Sequence, residues 1–65
     1  MSFTVNRERH EWDAQPTVDA LVRGLGLPDR GVAVAVDGAV VPRGRWDTVV
    51  PPDAVIEVVT AVQGG

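Results

Sequence analysis

The chain has 65 residues and a formal net charge of −3, a length that allows one domain near the lower limit for independent folding. It has no cysteine and one histidine, which excludes disulfides and thiol chemistry and argues against a structural metal site. Its six basic residues are all arginines and form no patch with aromatic residues, and it has no signal peptide or membrane-length apolar run, so we expect a cytoplasmic protein that binds neither nucleic acid nor membranes.

Two strands at the start of the chain are predicted to form a hairpin. Residues 1–6 alternate apolar and polar side chains, and residues 8–13 provide the return strand. Asn6 and Arg7 occupy the turn, where Asn tolerates the left-handed conformation better than Arg does. His10 has no nucleophile or acid beside it in a recognisable arrangement, so we interpret it as an ordinary strand residue and expect no catalytic residue in the chain.

One amphipathic helix follows. Thr17 is a favourable N-cap, and Gly26 and Pro28 mark the end of the helix. The apolar positions have helical spacing and form one stripe: Val18, Leu21, Val22 and Leu25. Because a helix of eight or nine residues is unstable alone in water, this stripe is expected to pack against a sheet.

Three more strands complete the predicted sheet. Residues 32–36 place valines toward the core and leave Ala33 and Ala35 on a flat outer face. Asp37-Gly38 is a strong hairpin signal leading into a short strand at residues 39–41. The order of these elements predicts an α+β fold, the β-grasp or ubiquitin-like architecture, with a mixed sheet of four to five strands and one helix packed across one face.

The last strand leads into the C-terminal glycines. It begins at Val55 and is nearly continuous in apolar residues, which is typical of a central strand with a parallel neighbour. We expect a single domain over residues 1–61 and a flexible tail at 62–65, which extends to about 13 Å. A free carboxylate at Gly65 is a poor electrophile, so a partner must activate it, for example as an acyl-adenylate. A lysine would then give an isopeptide and a sulfur nucleophile a thiocarboxylate, which makes the chain a substrate and not an enzyme.

Several of these features occur together in one known family. Val41-Pro42-Arg43 is followed by Trp46, and the chain closes with the segment 57–65. Together with Thr17-Val18 and Leu21-Val22 at the helix start, these residues resemble the ThiS family, the sulfur carriers of thiamine biosynthesis. The resemblance covers nearly the whole chain.

The resemblance implies a sequence of partners. An E1-like adenylyltransferase of the ThiF type would use ATP to adenylate Gly65, which would then become a thiocarboxylate. A thiazole synthase of the ThiG type would receive the sulfur. Gly64 and Gly65 carry over as the tail that threads the partners' active sites, and we expect Gln63 to thread them as well. We expect no bound cofactor, and a monomer when the chain is free.

A docking surface is predicted beside the tail, because flat apolar faces of this kind are typical of interaction sites. Its predicted members are Val59, Ala61, Val62, Ala33, Ala35 and, at the rim, Arg43. Two turns depart from the usual pattern of the family: Asn6-Arg7 replaces Asn-Gly, and Asp53-Ala54 replaces Gly-Asp. These departures concern local stability and leave the tail unaffected.

Three alternatives to the thiamine carrier remain open at this point. The chain could carry sulfur to molybdopterin or cysteine synthesis, as MoaD-like proteins do for molybdopterin. It could modify proteins by conjugating Gly65 to lysines, although with no lysine of its own it could not form chains of itself on side chains. It could also be a plain β-grasp interaction module whose glycines are incidental.

Overall fold

The computed structural model describes residues 1–28 and 30–60. This part of the chain contains the following elements: β1 (Ser2–Val5), β2 (Glu8–Glu11), α1 (Val18–Gly24), β3 (Val32–Val36), β4 (Ala39–Val41), a 3-10 turn (Arg43–Arg45) and β5 (Val55–Thr60). The five strands form one sheet in the order β2-β1-β5-β3-β4. The predicted β-grasp architecture is confirmed, with five strands in the sheet.

The strand β5 occupies the centre of the sheet. It pairs parallel to β1, with Val5 opposite Ile56, and antiparallel to β3, with Val34 opposite Val58. Alternate residues of β5, Ile56 and Val58, are buried in the core, whereas Val55, Glu57 and Val59 are exposed on the opposite face. The predicted central position and parallel pairing are confirmed.

The helix α1 packs across one face of this sheet. Its N-cap is Thr17, whose Oγ1 accepts a hydrogen bond from the Ala20 amide at 3.1 Å. The stripe side chains Val18, Leu21 and Val22 are buried. They pack in one core with side chains from β1, β3 and β5, among them Phe3, Val34, Ile56 and Val58. Since burying each such side chain contributes about 1.5–3 kcal/mol, this contact stabilises a helix too short to form alone.

Trp46 closes the core next to the short strand β4. It is 4% exposed, and its indole Nε1 donates a hydrogen bond to the Val41 carbonyl at 3.2 Å. The sequence motif from Val41 to Trp46 is therefore a structural unit, in which a 3-10 turn folds the buried indole back onto the end of the preceding strand.

The two unusual turns adopt left-handed backbone conformations. Arg7 has φ of 71° and Asp53 has φ of 61°, in the region that favours glycine. A residue with a Cβ is destabilised by about 1–2 kcal/mol in this conformation. Both turns therefore carry the local destabilisation that we expected from their departure from the family pattern.

Two element boundaries differ from the predictions. The second strand ends at Glu11 and not at Asp13, and the helix is 7 residues long. Leu25 caps the helix, and Gly26 with φ of 72° reverses the chain. The apolar stripe of the helix continues to Leu25, one residue past its hydrogen-bonded end, and Trp12 lies one residue past the end of β2.

Candidate docking surface and tail exit

The side chain of Asn6 takes the place of a strand residue beside the end of β5. The strand β1 ends at Val5, one residue before the turn. Asn6 Nδ2 then donates to the Val58 carbonyl at 3.1 Å, and Asn6 Oδ1 accepts from the Val58 amide at 2.8 Å. A single side chain thereby satisfies both backbone groups of Val58 that β1 no longer reaches.

The opposite side of β5 is paired with β3 up to the last described residue. Val59 lies opposite Ala33, and Thr60 opposite Val32. The described end of β5 is thus held on both sides, by Asn6 at Val58 and by β3 as far as Thr60. The predicted site residues Gly65, Gly64 and Gln63 lie outside the described residues, as do Ala61 and Val62 of the predicted docking surface.

Beside this exit the outer face of the sheet is apolar. We call the outer patch the four residues Ala33, Ala35, Val40 and Val59. They are brought together by register, since Ala33 pairs with Val59 and Ala35 with Val40. Val59 is 65% exposed and Val40 is 71% exposed, although both are valines in strands. The structure therefore brings together the predicted members Ala33, Ala35 and Val59.

Val40 was missed as a member of this surface. The two-residue turn at Asp37-Gly38 fixes the register of the hairpin, so that Val36 pairs with Ala39 and Ala35 with Val40. Counting outward from that turn places Val40 on the same face as Ala35. The signal was present in the sequence.

Arg43 lies at the edge of the outer patch. Its guanidinium carbon lies 4.8 Å from the centroid of the Trp46 ring, a cation–π distance. It lines a shallow surface depression together with Ala33 and Val59. The indole under Arg43 is buried and makes a hydrogen bond to the Val41 carbonyl.

The interpretation of His10 as a strand residue is confirmed. Its ring stacks on Phe3 with centroids 6.4 Å apart, and its Nε2 lies 3.5 Å from Glu8 Oε1. Within the described ranges, no cluster of His, Cys, Asp or Glu side chains could hold a metal ion. Over the same residues, no helix is long and apolar enough to cross a membrane.

Comparison with known proteins gives a consistent family. A model described as the ThiS family matches residues 2–65. A thiazole synthase from Magnetococcus marinus is 41% identical over 66 residues, which cover 100% of this chain and 20% of that protein. This chain thus spans one fifth of the length of that relative.

Two solved structures share the fold. The crystal structure of the thiamine biosynthesis protein ThiS from Geobacter metallireducens has a TM-score of 0.84 at 28% identity, covering 100% of both chains. A solution NMR structure of a thiamine biosynthesis protein from the same organism has a TM-score of 0.81 at 28% identity, covering 100% of this chain and 88% of the other.

Proposed function

This chain belongs to the ThiS family of sulfur carriers in thiamine biosynthesis, and we propose that the carboxyl group of Gly65 is the carrying group. A carboxylate is ionised at neutral pH and resists nucleophilic attack, so the proposal requires activation by another protein. The activating partner is an E1-like adenylyltransferase of the ThiF type.

The chemistry follows in two balanced steps. A Gly65 carboxylate oxygen attacks the α-phosphorus of ATP, which forms the acyl-adenylate and releases pyrophosphate. Hydrosulfide supplied by a sulfur donor then attacks the Gly65 carbonyl and displaces AMP, and loss of its proton leaves the thiocarboxylate. The carrier contributes no acid or base to either step.

The observation that carries the proposal is the way β5 is anchored next to an apolar surface. Asn6 holds Val58 on one side, and β3 pairs with β5 through Thr60 on the other. A strand held in this way fixes the base of the predicted tail, residues 62–65, so that only these four residues, about 13 Å when extended, must enter a partner. The outer patch beside that base provides the docking contact.

A thiazole synthase of the ThiG type is the proposed recipient of the sulfur. The relative from Magnetococcus marinus is named thiazole synthase. Its match covers 100% of this chain and 20% of that protein. That similarity supports a physical association between the carrier and the synthase. It also favours the thiazole acceptor over molybdopterin or cysteine synthesis.

The decisive experiment follows the C-terminus by intact mass. The full chain is incubated with a ThiF-type enzyme, ATP and a sulfur donor, and we expect release of pyrophosphate and a mass increase equal to one oxygen-to-sulfur exchange. Deletion of Gly65 is expected to abolish both signals and to leave the thermal unfolding curve unchanged, because Gly65 belongs to the predicted tail and not to the predicted domain.

Two outcomes would contradict the proposal. One is a full chain that stays unmodified while an authentic carrier is converted by the same enzyme. The other is a deletion variant that still supports growth without added thiamine. High-mass conjugates on a blot of cell extract would instead indicate a protein modifier.

A further inference from the structure

A groove lies on the inner face of the sheet, the face that α1 covers, at the end of β5. We call this depression of about 450 Å³ the exit groove; its lining includes Leu25, Leu27, Glu8, His10, Val58 and Thr60. The two leucines pack against the core but remain half-buried. An apolar edge of the core is therefore open to solvent next to the last described residue of the strand.

The alternation of β5 points its next inward side chain toward this groove. Ile56 and Val58 are buried in the core, and Thr60 follows on the same face, where it lines the groove and is exposed. Successive side chains of a strand point to opposite faces, so Ala61 belongs to the outer face and Val62 to the inner one. The sequence thus places an apolar side chain two positions beyond Thr60, on the side of the groove.

The backbone of β3 turns aside at the same level. Thr60 is paired with Val32, the first residue of β3, and Gly31 before it has φ of 65°. A left-handed glycine does not extend a strand, so β3 offers no extended partner to the residues that follow Thr60. Because two residues span about 7 Å, Val62 is within reach of the groove next to Thr60.

We propose that Val62 occupies the exit groove in the free chain, in contact with Leu25 and Leu27. The contact holds the base of the tail against its own domain, and only residues 63–65, about 10 Å when extended, then project from it. A partner that takes up residues 62–65 must first withdraw Val62. This consequence for activation rests on the function proposed above, whereas the contact itself does not.

The tail suits the groove better than a separate molecule does. Val62 is joined to Thr60 through a single residue, so its effective concentration at the groove is in the millimolar range or above. A second copy or a partner loses translational and rotational freedom when it binds. The carboxylate of Gly65 is a poor occupant, because Glu8 already places a negative charge in the groove, 3.5 Å from His10 Nε2.

The first test observes the contact by NMR in the full chain. We expect nuclear Overhauser effects between the methyl groups of Val62 and those of Leu25 or Leu27, and a heteronuclear relaxation value at Val62 closer to that of Thr60 than to that of Gly64. V62T replaces one methyl group by a hydroxyl and should make Val62's position as mobile as Gly64. V55T makes the same change on an exposed valine at the other end of β5 and should leave relaxation of the tail unchanged.

The second test changes the groove and keeps the sequence of the tail. L27N removes part of the apolar lining, and we expect the Val62 contacts to disappear and kcat/KM for adenylation to rise about two- to fivefold. The rise follows because a larger fraction of molecules has its tail free to enter the enzyme, and it is small because one valine side chain makes a weak contact. Thermal unfolding shows whether L27N is folded at the temperature of the assay, and V62T gives the NMR comparison without altering a leucine that packs on the core.

Three results would overturn the inference. One is a wild-type Val62 that shows no contact with either leucine and relaxes like Gly64. Another is a set of contacts that fades on dilution, which would place the tail in the groove of a second copy. The third is a folded L27N whose kcat/KM stays the same or falls. In each case, pyrophosphate release from the wild-type chain leaves the proposed function intact, and a wild-type chain that shows the contacts but is not adenylated contradicts the proposed function alone.

Discussion

The outer face of the sheet has two halves that differ in chemistry. On β1 and β2 it carries polar side chains that bind one another: Arg9 Nη2 donates to Ser2 Oγ at 3.2 Å and lies 3.8 Å from Glu11 Oε1. On β5, β3 and β4 it carries the outer patch, with Val59 and Val40 more than half exposed. Both halves belong to one continuous hydrogen-bonded sheet.

This difference separates a surface suited to water from a surface suited to a partner. An antiparallel sheet with one solvated face normally alternates apolar residues inward and polar residues outward, as β1 does. The β5-β3-β4 half breaks that rule beside the tail exit. Exposed valine and alanine add nothing to the core, so their clustering on one half is best explained by contact with another protein.

The largest expected effect comes from placing a charge in the apolar half. We expect V59D to weaken adenylation by the ThiF-type enzyme at least about 30-fold in kcat/KM, because a desolvated carboxylate at a central contact position costs 2 kcal/mol or more. The matched change on the polar half, T4D, is expected to stay within about threefold. Steady-state pyrophosphate release measures both, and equal losses would show that the two halves do not differ in function.

The variant N6G removes the side-chain part of the connection between the halves and leaves the backbone pairing of β1 with β5 in place. Glycine adopts the left-handed turn conformation that Asn6 has at φ of 50°, but it cannot make the two hydrogen bonds to Val58. We expect a loss of about 1–3 kcal/mol in the free energy of unfolding, at 0.5–1.5 kcal/mol for each bond. Chemical denaturation measures the loss, and amide exchange should accelerate at Val58. Unchanged exchange there would mean that Asn6 does not anchor β5.

A milder change tests Val40, the member of the outer patch that the sequence analysis did not predict. V40T keeps the shape and β-branching of valine and replaces one methyl group by a hydroxyl, so we expect adenylation to weaken about three- to fivefold through lost apolar contact. Val55 is also an exposed valine, on the same strand as Val59 but at its other end, and V55T is the matched control. A calorimetric titration of each variant against the enzyme distinguishes them, and a larger loss for V55T would move the docking surface away from the exit.

The smallest effect is expected in the turn of the polar half. R7G relieves a left-handed residue at φ of 71°, and after the added entropy of glycine in the unfolded chain we expect a gain of about 0.5–1 kcal/mol. The melting temperature should rise by a few degrees, and adenylation should not change. R7A keeps the strain and should show no gain. If R7A also raises the free energy of unfolding, the gain comes from removal of the arginine charge and not from relief of backbone strain.

The fold was predictable because each element carried a local signal. Thr17 capped the helix, the apolar stripe identified its buried face, and the continuous apolar run at β5 placed that strand at the centre of the sheet. Element ends were less accurate because apolar patterning continues past the last hydrogen bond, as it does at Leu25.

The candidate site was predictable only in part. Alternation along β3 and β5 placed Ala33 and Val59 on the outer face, and pairing of the two strands brought them together. The two hydrogen bonds from Asn6 to Val58 join residues 52 positions apart, and no local pattern encodes such a contact. The stacking of Arg43 on Trp46 likewise depends on the 3-10 turn between them, which leaves no periodic trace in so short a segment.

The central position of β5 also determines how the domain assembles. The hairpin of β1 and β2 and the hairpin of β3 and β4 have no strand contact with each other except through β5. Two isolated hairpins are marginal in water, so neither half of the sequence is expected to persist as a folded intermediate. Cooperative folding of this kind, dominated by pairings between distant parts of the chain, makes the order of β5 and the integrity of the whole domain a single property. The strand β5 is therefore expected to be ordered only once both hairpins have paired with it.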